Sequence, residues 1–163
     1  RGQNESRESV LKSLNIVPLV IAYELDPCDE LKAAELSAGA NYIKAEFEDV
    51  ASMSLGITGQ KGRVHLHFGD PLDPELDVAG VVSAIDQQMV AYYRLYRTNV
   101  WAWEWLHGEK VPDFVTSHEG DISESAFRLR IEAAPMQYRD QILSMYANPV
   151  SRLLSETVAT EGA

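Results

Sequence analysis

Apolar residues in the first half of the chain recur with the spacing of short strands and helices. The run from Ile16 to Ala22 is rich in β-branched residues, which predicts a buried strand covered on both faces. Pro18 lies near its start, where a missing backbone N–H is tolerated. Glu24 and Asp26 follow the carboxyl end of the strand, the end at which open α/β sheets bind ligands. This junction is therefore the first candidate for a binding site.

Three further segments of the first half have a readable period. A helix is predicted from Asp29 to Ala38, with Asp29 as its cap. Residues Phe47 to Ile57 fit a helix better than a strand. The segment from Arg63 to Phe68 alternates, which predicts a half-buried strand. Its apolar face would carry Val64, Leu66 and Phe68, and its polar face Arg63, His65 and His67.

From Val78 the apolar period changes to that of helices. One long helix is predicted from about Val78 to Leu106, bent near Thr98–Asn99. Asp121 and Glu124 have the spacing of a capping box, which predicts a helix from Ser123 to about Ala133.

The remaining residues are also predicted to be helical. One helix follows Pro135, and Asn148–Pro149 predicts that a new helix begins there. The fold class is therefore α/β, in a single domain or part of one. The α/β part is expected in residues 1–77, and residues 78–163 would form a helical C-terminal extension.

The charge balance narrows the classes of partner. The 163 residues carry a formal net charge of -11, which argues against nucleic acid because phosphate binding needs a basic stripe. The single cysteine, Cys28, excludes an internal disulfide and a cysteine zinc site. No apolar run approaches the ~20 residues of a membrane span. Since the sequence begins with Arg1 instead of methionine, we expect it to be a piece of a longer protein.

Histidines on the alternating strand are the first candidates for chemistry. His65 and Asp70 have the His-x4-Asp spacing in which an oriented histidine activates a hydroxyl. A histidine on the polar face of a strand is, however, more often solvated or locally bonded. His65 and His67 also have a spacing that can hold a metal. Neither His107 nor His118 is placed near them by the sequence, so an exposed strand face is the favoured interpretation.

The turn at Cys28 and the glycine-rich loop from Gly56 to Gly62 each have two interpretations. Cys28 precedes a predicted helix, but the acidic residues on both sides favour a packed, structural cysteine over a nucleophile. The loop could hold a phosphate with the help of Lys61 and Arg63. It matches neither a Walker loop nor a dinucleotide fingerprint, and a plain connector is favoured. Lys61 and Arg63 remain the best basic pair for an anionic substrate.

Six aromatic residues are concentrated between Tyr92 and Trp105. Helical geometry directs several of them to the core, but Arg94, Arg97 and Trp101 share another side. Arginine beside tryptophan is typical of a membrane interface. These three residues are therefore the predicted membrane contact, and the alternative is that the aromatic residues only fill the core.

The most distinctive stretch runs from Asn15 to Asp29 and contains Val17-Pro18-Leu19-Val20. It resembles a bacterial branch of the glycerolipid acyltransferases, similar to the 1-acyl-glycerol-3-phosphate acyltransferases. The resemblance covers most of the chain, from about Leu14 to Pro149. The supporting segments are Glu48-Asp49, Ser52-Met53, Gly56-Ile57, Lys61-Gly62-Arg63-Val64-His65, Tyr96-Arg-Thr-Asn99 and Tyr146-Ala-Asn-Pro149.

The resemblance implies a partial mixed sheet of the glycerolipid acyltransferase type in the first half and a helical C-terminal half. The whole enzyme would move an acyl group from acyl-CoA or acyl carrier protein to a glycerophosphate-type acceptor in phospholipid synthesis. No metal or tightly bound cofactor is implied. The location implied is cytoplasmic and peripheral to the inner membrane.

Four motifs carry function in that family, and Val17 to Val20 matches the fourth, with Ile21 where a second proline is common. The first three, including the catalytic His-x4-Asp, would precede residue 1, so this chain alone is expected to be inactive. The spacing of His65 and Asp70 is then a coincidence, because the pair follows the fourth motif. The alternative is a non-enzymatic helical module that docks a membrane or a protein partner. The predicted substrate-binding residues are Val17, Pro18, Leu19, Val20, Lys61 and Arg63.

Overall fold

The computed structural model describes residues 7–161 of the chain. These residues contain seven helices and two strands, joined by turns and loops. The helices are α1 (Arg7–Ser13), α2 (Asp29–Ala38), α3 (Glu48–Thr58), α4 (Val78–Tyr92), α5 (Arg97–His107), α6 (Glu124–Ala133) and α7 (Arg139–Glu161). The strands are β1 (Leu19–Tyr23) and β2 (Val64–Phe68), and two 3-10 turns span Gly39–Asn41 and Met136–Tyr138. The predicted α/β class is confirmed, with helices in the majority.

The described residues form two compact units. The first comprises the described residues up to Ala22 together with His65–Tyr93, and it contains α1, α4 and most of both strands. The second comprises Tyr23–Val64 and the described residues from Arg94 onward, with the other five helices. These boundaries differ from the predicted one between residues 77 and 78.

The two strands pair as an antiparallel ribbon. In the first unit the N–H of Gly69 donates to the carbonyl of Pro18 at 2.8 Å, and the N–H of Leu72 donates to the carbonyl of Ile16 at 2.9 Å. Strand β1 begins at Leu19, later than predicted, because Pro18 has no N–H for a ladder. Within residues 7–161 this pair is the whole sheet, so the mixed sheet expected from the resemblance is not present there.

One face of the ribbon in the first unit is apolar and exposed. We call it the open sheet face; its residues are Val17, Leu19, Ile21, Leu66 and Phe68. The opposite face is covered: Val20 and Ala22 are fully buried, and the ring of His67 stacks on Tyr92 of α4 at 4.0 Å. The prediction that β1 is covered on both faces is therefore wrong. In β2 the covered face is the histidine face, because α4 packs on it.

The long helix predicted from Val78 to Leu106 is two helices. Helix α4 ends at Tyr92 and α5 begins at Arg97. In the second unit, the side chain of Asn99 accepts the N–H of Tyr96 at 2.8 Å and so fixes the start of α5. The carbonyl of Leu95 accepts from the N–H of His118 at 2.8 Å. The local cap and the long-range bond to His118 together hold the segment before α5 in an extended form that the apolar period did not reveal.

The last two helices begin differently from the prediction. Ser123 caps α6 by accepting the N–H of Ala126, so the cap is Ser123 rather than Asp121. Helix α7 runs through Pro149 without a restart. The side chain of Asn99 donates to the carbonyl of Tyr146 at 2.9 Å, in the turn before Pro149. Pro149 lacks the N–H that would reach the carbonyl of Met145, and the bond from Asn99 lies one residue further along the same turn.

Aromatic packing between α5, α6 and α7 forms the core of the second unit. The ring of Phe127 is fully buried, with Trp101 at 6.3 Å and Tyr146 at 5.0 Å between ring centroids. Ile142 and Val150 of α7 complete it. Burial of this aromatic cluster stabilises the unit, since each large ring removes a considerable apolar area from water.

Helix α3 directs its large apolar residues outward. Val50, Met53 and Ile57 are exposed, whereas Ser52 and Gly56 lie near Cys28, whose Sγ contacts the carbonyl of Ser52 at 3.4 Å. An amphipathic helix of a globular protein usually has the opposite orientation. None of the helices in the described residues is long and apolar enough to cross a bilayer.

Candidate functional site

Glu24 follows β1 directly. Among the described residues of the second unit it is the most deeply buried charged residue, with 1% of its surface exposed. Its carboxylate accepts the backbone N–H groups of Arg63 at 2.9 Å, Asp121 at 3.0 Å and Ile122 at 2.7 Å. Gly120 packs so closely that a Cβ there would overlap the carboxylate. Three backbone donors thus bind both carboxylate oxygens, so Glu24 joins chain segments and is not arranged as a proton-transfer group.

The backbone of Glu24 continues this connection. Its N–H donates to the carbonyl of Arg63 at 2.9 Å, and its carbonyl accepts the hydroxyl of the buried Thr98 at 2.8 Å. Gly62, one residue before Arg63, has a φ of 61° in the left-handed region, where glycine is unstrained. The same glycine has no side chain to collide with Glu24. The turn before β2 therefore requires glycine for two reasons.

Asp29, Arg130 and Tyr146 form a second polar cluster in the same unit. Nε and Nη2 of Arg130 donate to the two carboxylate oxygens of Asp29 at 2.8 and 3.0 Å, and Nη2 also donates to the carbonyl of Asp26 at 2.9 Å. The hydroxyl of Tyr146 donates to Asp29 at 2.9 Å and accepts the N–H of Asp26 at 2.8 Å. The N–H of Glu30 supplies a fourth donor to Asp29 at 2.8 Å. Asp29 is thus saturated, and it does not cap α2 with its side chain, because Cys28 is the N-cap residue.

Burial of the phenol raises the pKa of Tyr146 above its ordinary value of 10.0, and the charge of Asp29 raises it further. The phenol therefore stays protonated in the folded chain at all pH values at which proteins are normally handled. Its hydroxyl is a permanent donor to Asp29, which favours a structural role over acid–base chemistry.

Replacement of Tyr146 by phenylalanine is expected to change the alkaline stability of the chain. A tyrosine in the unfolded chain loses its proton near pH 10 whereas the folded phenol keeps it, so above pH ~10 the unfolded state binds fewer protons and stability falls by about 1.4 kcal/mol per pH unit. Tyr146→Phe removes this contribution. Urea unfolding from pH 8 to 11 should show a shallower decline for the variant than for the native chain.

Tyr138→Phe is the matched control, since the Tyr138 ring lies outside the Asp29 cluster. At pH 8 the Tyr146 variant should be about 1–3 kcal/mol less stable, because Asp29 and the N–H of Asp26 each lose a partner. If the stability of Tyr146→Phe fell with pH as steeply as that of the native chain, the folded phenol could not be the group that keeps its proton.

The predicted substrate-binding residues fall in both units, so each set is described separately. In the first unit Val17 and Leu19 are exposed on the open sheet face, whereas Pro18 and Val20 are buried. In the second unit Lys61 donates to the carbonyls of Ile57 at 3.0 Å and Gly59 at 3.1 Å.

Arg63 pairs with Asp121 at 3.0 Å, and both side chains are more than half exposed. An exposed pair of this kind contributes little to stability, so the guanidinium can exchange its partner for an anion in solution. Of the predicted basic pair, Arg63 is therefore the better placed to meet an anionic ligand, because the Lys61 ammonium is engaged by carbonyls at the end of α3.

The predicted membrane-contact residues Arg94, Arg97 and Trp101 do not form an exposed face. Trp101 is 9% exposed and packs against Phe127, which removes its ring from the surface. Arg97 lies over the Trp101 ring at 5.5 Å and pairs with Glu119 at 3.1 Å. Arg94 is half-buried. The alternative interpretation, in which the aromatic residues fill the core, describes Trp101 correctly.

The histidine candidates lie on the covered face of the ribbon. The rings of His65 and His67 are 6.3 Å apart, and His67 stacks on Tyr92. The backbone N–H and carbonyl of Asp70 are both bonded to the side chain of Gln88, at 2.8 and 3.0 Å. Within residues 7–161, no three histidine, cysteine or carboxylate side chains are grouped as metal ligands.

The two polar clusters were only partly visible in the sequence. Glu24, Asp26 and Asp29 could be identified because they follow a strand. Arg130 and Tyr146 could not, since each lies more than 100 residues from its partner and on a helix whose period shows only which residues are apolar. Both clusters hold distant chain segments together through hydrogen bonds to the carboxylates of Glu24 and Asp29.

Comparison of the chain with protein-family models, with curated proteins and with solved structures found no significant match.

Proposed function

We propose that this chain forms the C-terminal part of an acyltransferase that moves an acyl group from acyl-CoA or acyl carrier protein to a glycerophosphate-type acceptor in phospholipid synthesis. The proposal follows from the resemblance to the bacterial glycerolipid acyltransferases. Catalysis is assigned to polypeptide outside these residues, and the 163 residues alone are inactive. In this proposal the segment Val17 to Val20 forms one wall of the substrate site, and the helices of the C-terminal half support the fold around it.

The observation that carries the proposal is that segments quoted for the resemblance are joined by hydrogen bonds in the second unit. Glu24 is bonded to Arg63 and Thr98. Asn99 is bonded to the carbonyl of Tyr146, whose hydroxyl bonds Asp29. Segments far apart in sequence thus build one scaffold, which supports the idea that the resemblance reflects a shared fold and not a chance similarity of short motifs.

The open sheet face gives independent support in the first unit. Leu19, within the segment that resembles the fourth motif, and Ile21, directly after that segment, are exposed on it. An isolated two-stranded ribbon is marginally stable in water, and further strands or a covering layer are usually needed. A contiguous apolar face is also characteristic of an interaction surface. Additional polypeptide of the same enzyme, placed on this face, would satisfy both requirements.

The position of the histidines favours assigning the catalytic base elsewhere. A general base must reach the proton that it removes, at hydrogen-bond distance. The ring of His67 stacks on Tyr92. Asp70 is exposed, and its backbone N–H donates to the side chain of Gln88. His65 stacks on His67 on the same covered face, with 6.3 Å between the ring centroids.

The experiment compares this chain with the protein encoded by its complete reading frame. Transfer of a radiolabelled acyl group from acyl-CoA to glycerol 3-phosphate or its 1-acyl derivative should be catalysed by the complete protein and not by residues 1–163. In the complete protein, Leu19→Asp on the open sheet face should reduce the rate at least tenfold, whereas Leu36→Asp, exposed on α2, should have little effect.

Two results would refute the proposal. One is a folded complete protein that transfers no acyl group from either acyl-CoA or acyl carrier protein. The other is activity in residues 1–163 that His65→Ala abolishes, since that would make the present chain a complete small transferase.

A further inference from the structure

An open cleft of about 680 Å³ lies in the second unit, between the start of α2, the end of α3 and one side of α6. Its volume is within the roughly 300–1,000 Å³ typical of small-molecule sites. The apolar part of its lining includes Pro27, Leu31, Leu55, Leu129, Ile131 and Ile142. A ligand that fills this space must therefore present mainly apolar surface.

The polar end of the cleft is formed by Asp29, Glu30 and Arg130. Arg130 uses Nε and Nη2 for its bonds to Asp29 and Asp26, and these bonds leave the two N–H groups of Nη1 unused. Asp29, by contrast, is saturated by four donors. The cleft thus offers fixed N–H donors at one end, held in place by a nearly buried carboxylate.

The charges at this end decide which head group fits. One guanidinium and two carboxylates give a local net charge of -1, so a ligand carboxylate or phosphate would be repelled by Glu30 and Asp29. A cation would find the oxygens of Asp29 occupied and would be repelled by Arg130, and its remaining partner would be the exposed Glu30, where an ion pair contributes little. A neutral acceptor oxygen avoids both penalties and satisfies Nη1.

We propose that the cleft binds an uncharged amphiphile, an apolar chain that carries an ester or amide carbonyl oxygen. The chain lies along Leu31, Leu129 and Ile131, and the carbonyl oxygen accepts from Nη1 of Arg130. This inference uses only the cleft and its charges, and it does not depend on the proposed acyl transfer.

Binding is measured with three fluorescent polyene probes of equal chain length: a methyl ester, the free carboxylate and the hydrocarbon. The ester should bind at least tenfold more tightly than the carboxylate, because of the repulsion by Asp29 and Glu30. It should also bind about tenfold more tightly than the hydrocarbon, which lacks the bond to a charged donor. Leu129→Glu, at an exposed position of the lining, should weaken binding of the ester at least tenfold.

Leu36→Glu is the matched control, because Leu36 is similarly exposed on α2 but does not line the cleft. Ala126→Glu repeats the test at a second exposed lining position. Circular dichroism confirms that each variant is folded. Unchanged ester binding in both lining variants would overturn the proposal, as would a preference for the carboxylate. Equal loss in Leu36→Glu would do the same, by showing that the probe binds other apolar surface.

Discussion

Replacement of Glu24 by alanine is expected to lower the free energy of unfolding by about 4 kcal/mol or more, the largest effect of any single substitution considered for the second unit. The carboxylate accepts from the N–H groups of Arg63, Asp121 and Ile122. Alanine leaves these three donors without their acceptor in a site that is 1% exposed. Each unsatisfied donor costs about 1–3 kcal/mol, and a water that enters the space left by the side chain recovers only part of this.

Two further variants show whether hydrogen bonding is the cause. Glu24→Gln keeps one acceptor oxygen but turns an NH₂ group toward a backbone N–H, so it should lose about 2–3 kcal/mol. Gly120→Ala should also destabilise the fold, because the added Cβ would overlap the carboxylate of Glu24 and displace it from its donors. Glu35→Ala, on an exposed part of α2, should change stability by less than ~0.5 kcal/mol.

Urea unfolding monitored by far-UV circular dichroism measures these differences. A loss below ~1 kcal/mol in Glu24→Ala, close to that of Glu35→Ala, would show that the three amides find other partners. The role of Glu24 as the connection between β1, the turn before β2 and the segment before α6 would then have to be abandoned.

Elements with local signals were predicted well. Helix α2 has the predicted bounds, Asp29 to Ala38, and it is followed by Gly39 with a φ of 55°. Helix α3 is shifted by one residue at both ends from the predicted Phe47 to Ile57, and helix α6 begins one residue later than predicted. In each case the signal is short-ranged: acidic residues or a serine at the start, and glycine or a loop at the end. Such signals do not depend on the rest of the fold.

The faces of the strands could not be predicted, because alternation fixes the period and not which side is covered. The apolar residues Leu66 and Phe68 were natural candidates for the core, yet the covered face holds His67 under Tyr92. If the open sheet face is covered in a longer protein, as we propose, both faces of β1 would be buried.

Long-range polar contacts could not be predicted from neighbouring residues in the sequence. Proline at position 149 indicates a helix start when only its neighbours are considered. The structure keeps it inside α7, where Asn99 supplies a donor to the carbonyl of Tyr146 from 47 residues away. Likewise, nothing near Arg130 identifies Asp29 as its partner. The sequence therefore predicted most elements but not the clusters that join them.

Replacement of Arg130 by methionine, which keeps most of the length of the side chain, is expected to cost about 3–5 kcal/mol. Asp29 would remain as a charge whose side chain is 7% exposed, with only Tyr146 and the N–H of Glu30 as donors. Lysine should restore part of the loss, because it returns the charge but not the two-point contact. Arg128→Met, two residues earlier on the exposed side of α6, should cost less than ~1 kcal/mol.

A double-mutant cycle separates this ion pair from the general cost of changing α6. Asp29→Asn removes the charge that Arg130→Met leaves unpaired, so the double variant should be about 2 kcal/mol more stable than the sum of the single losses predicts. The coupling should persist in 1 M salt, since a largely buried pair is weakly screened. Additive losses, or a coupling that salt abolishes, would mean that Arg130 and Asp29 behave as an exposed pair. The fixed guanidinium at the end of the cleft would then have no structural basis.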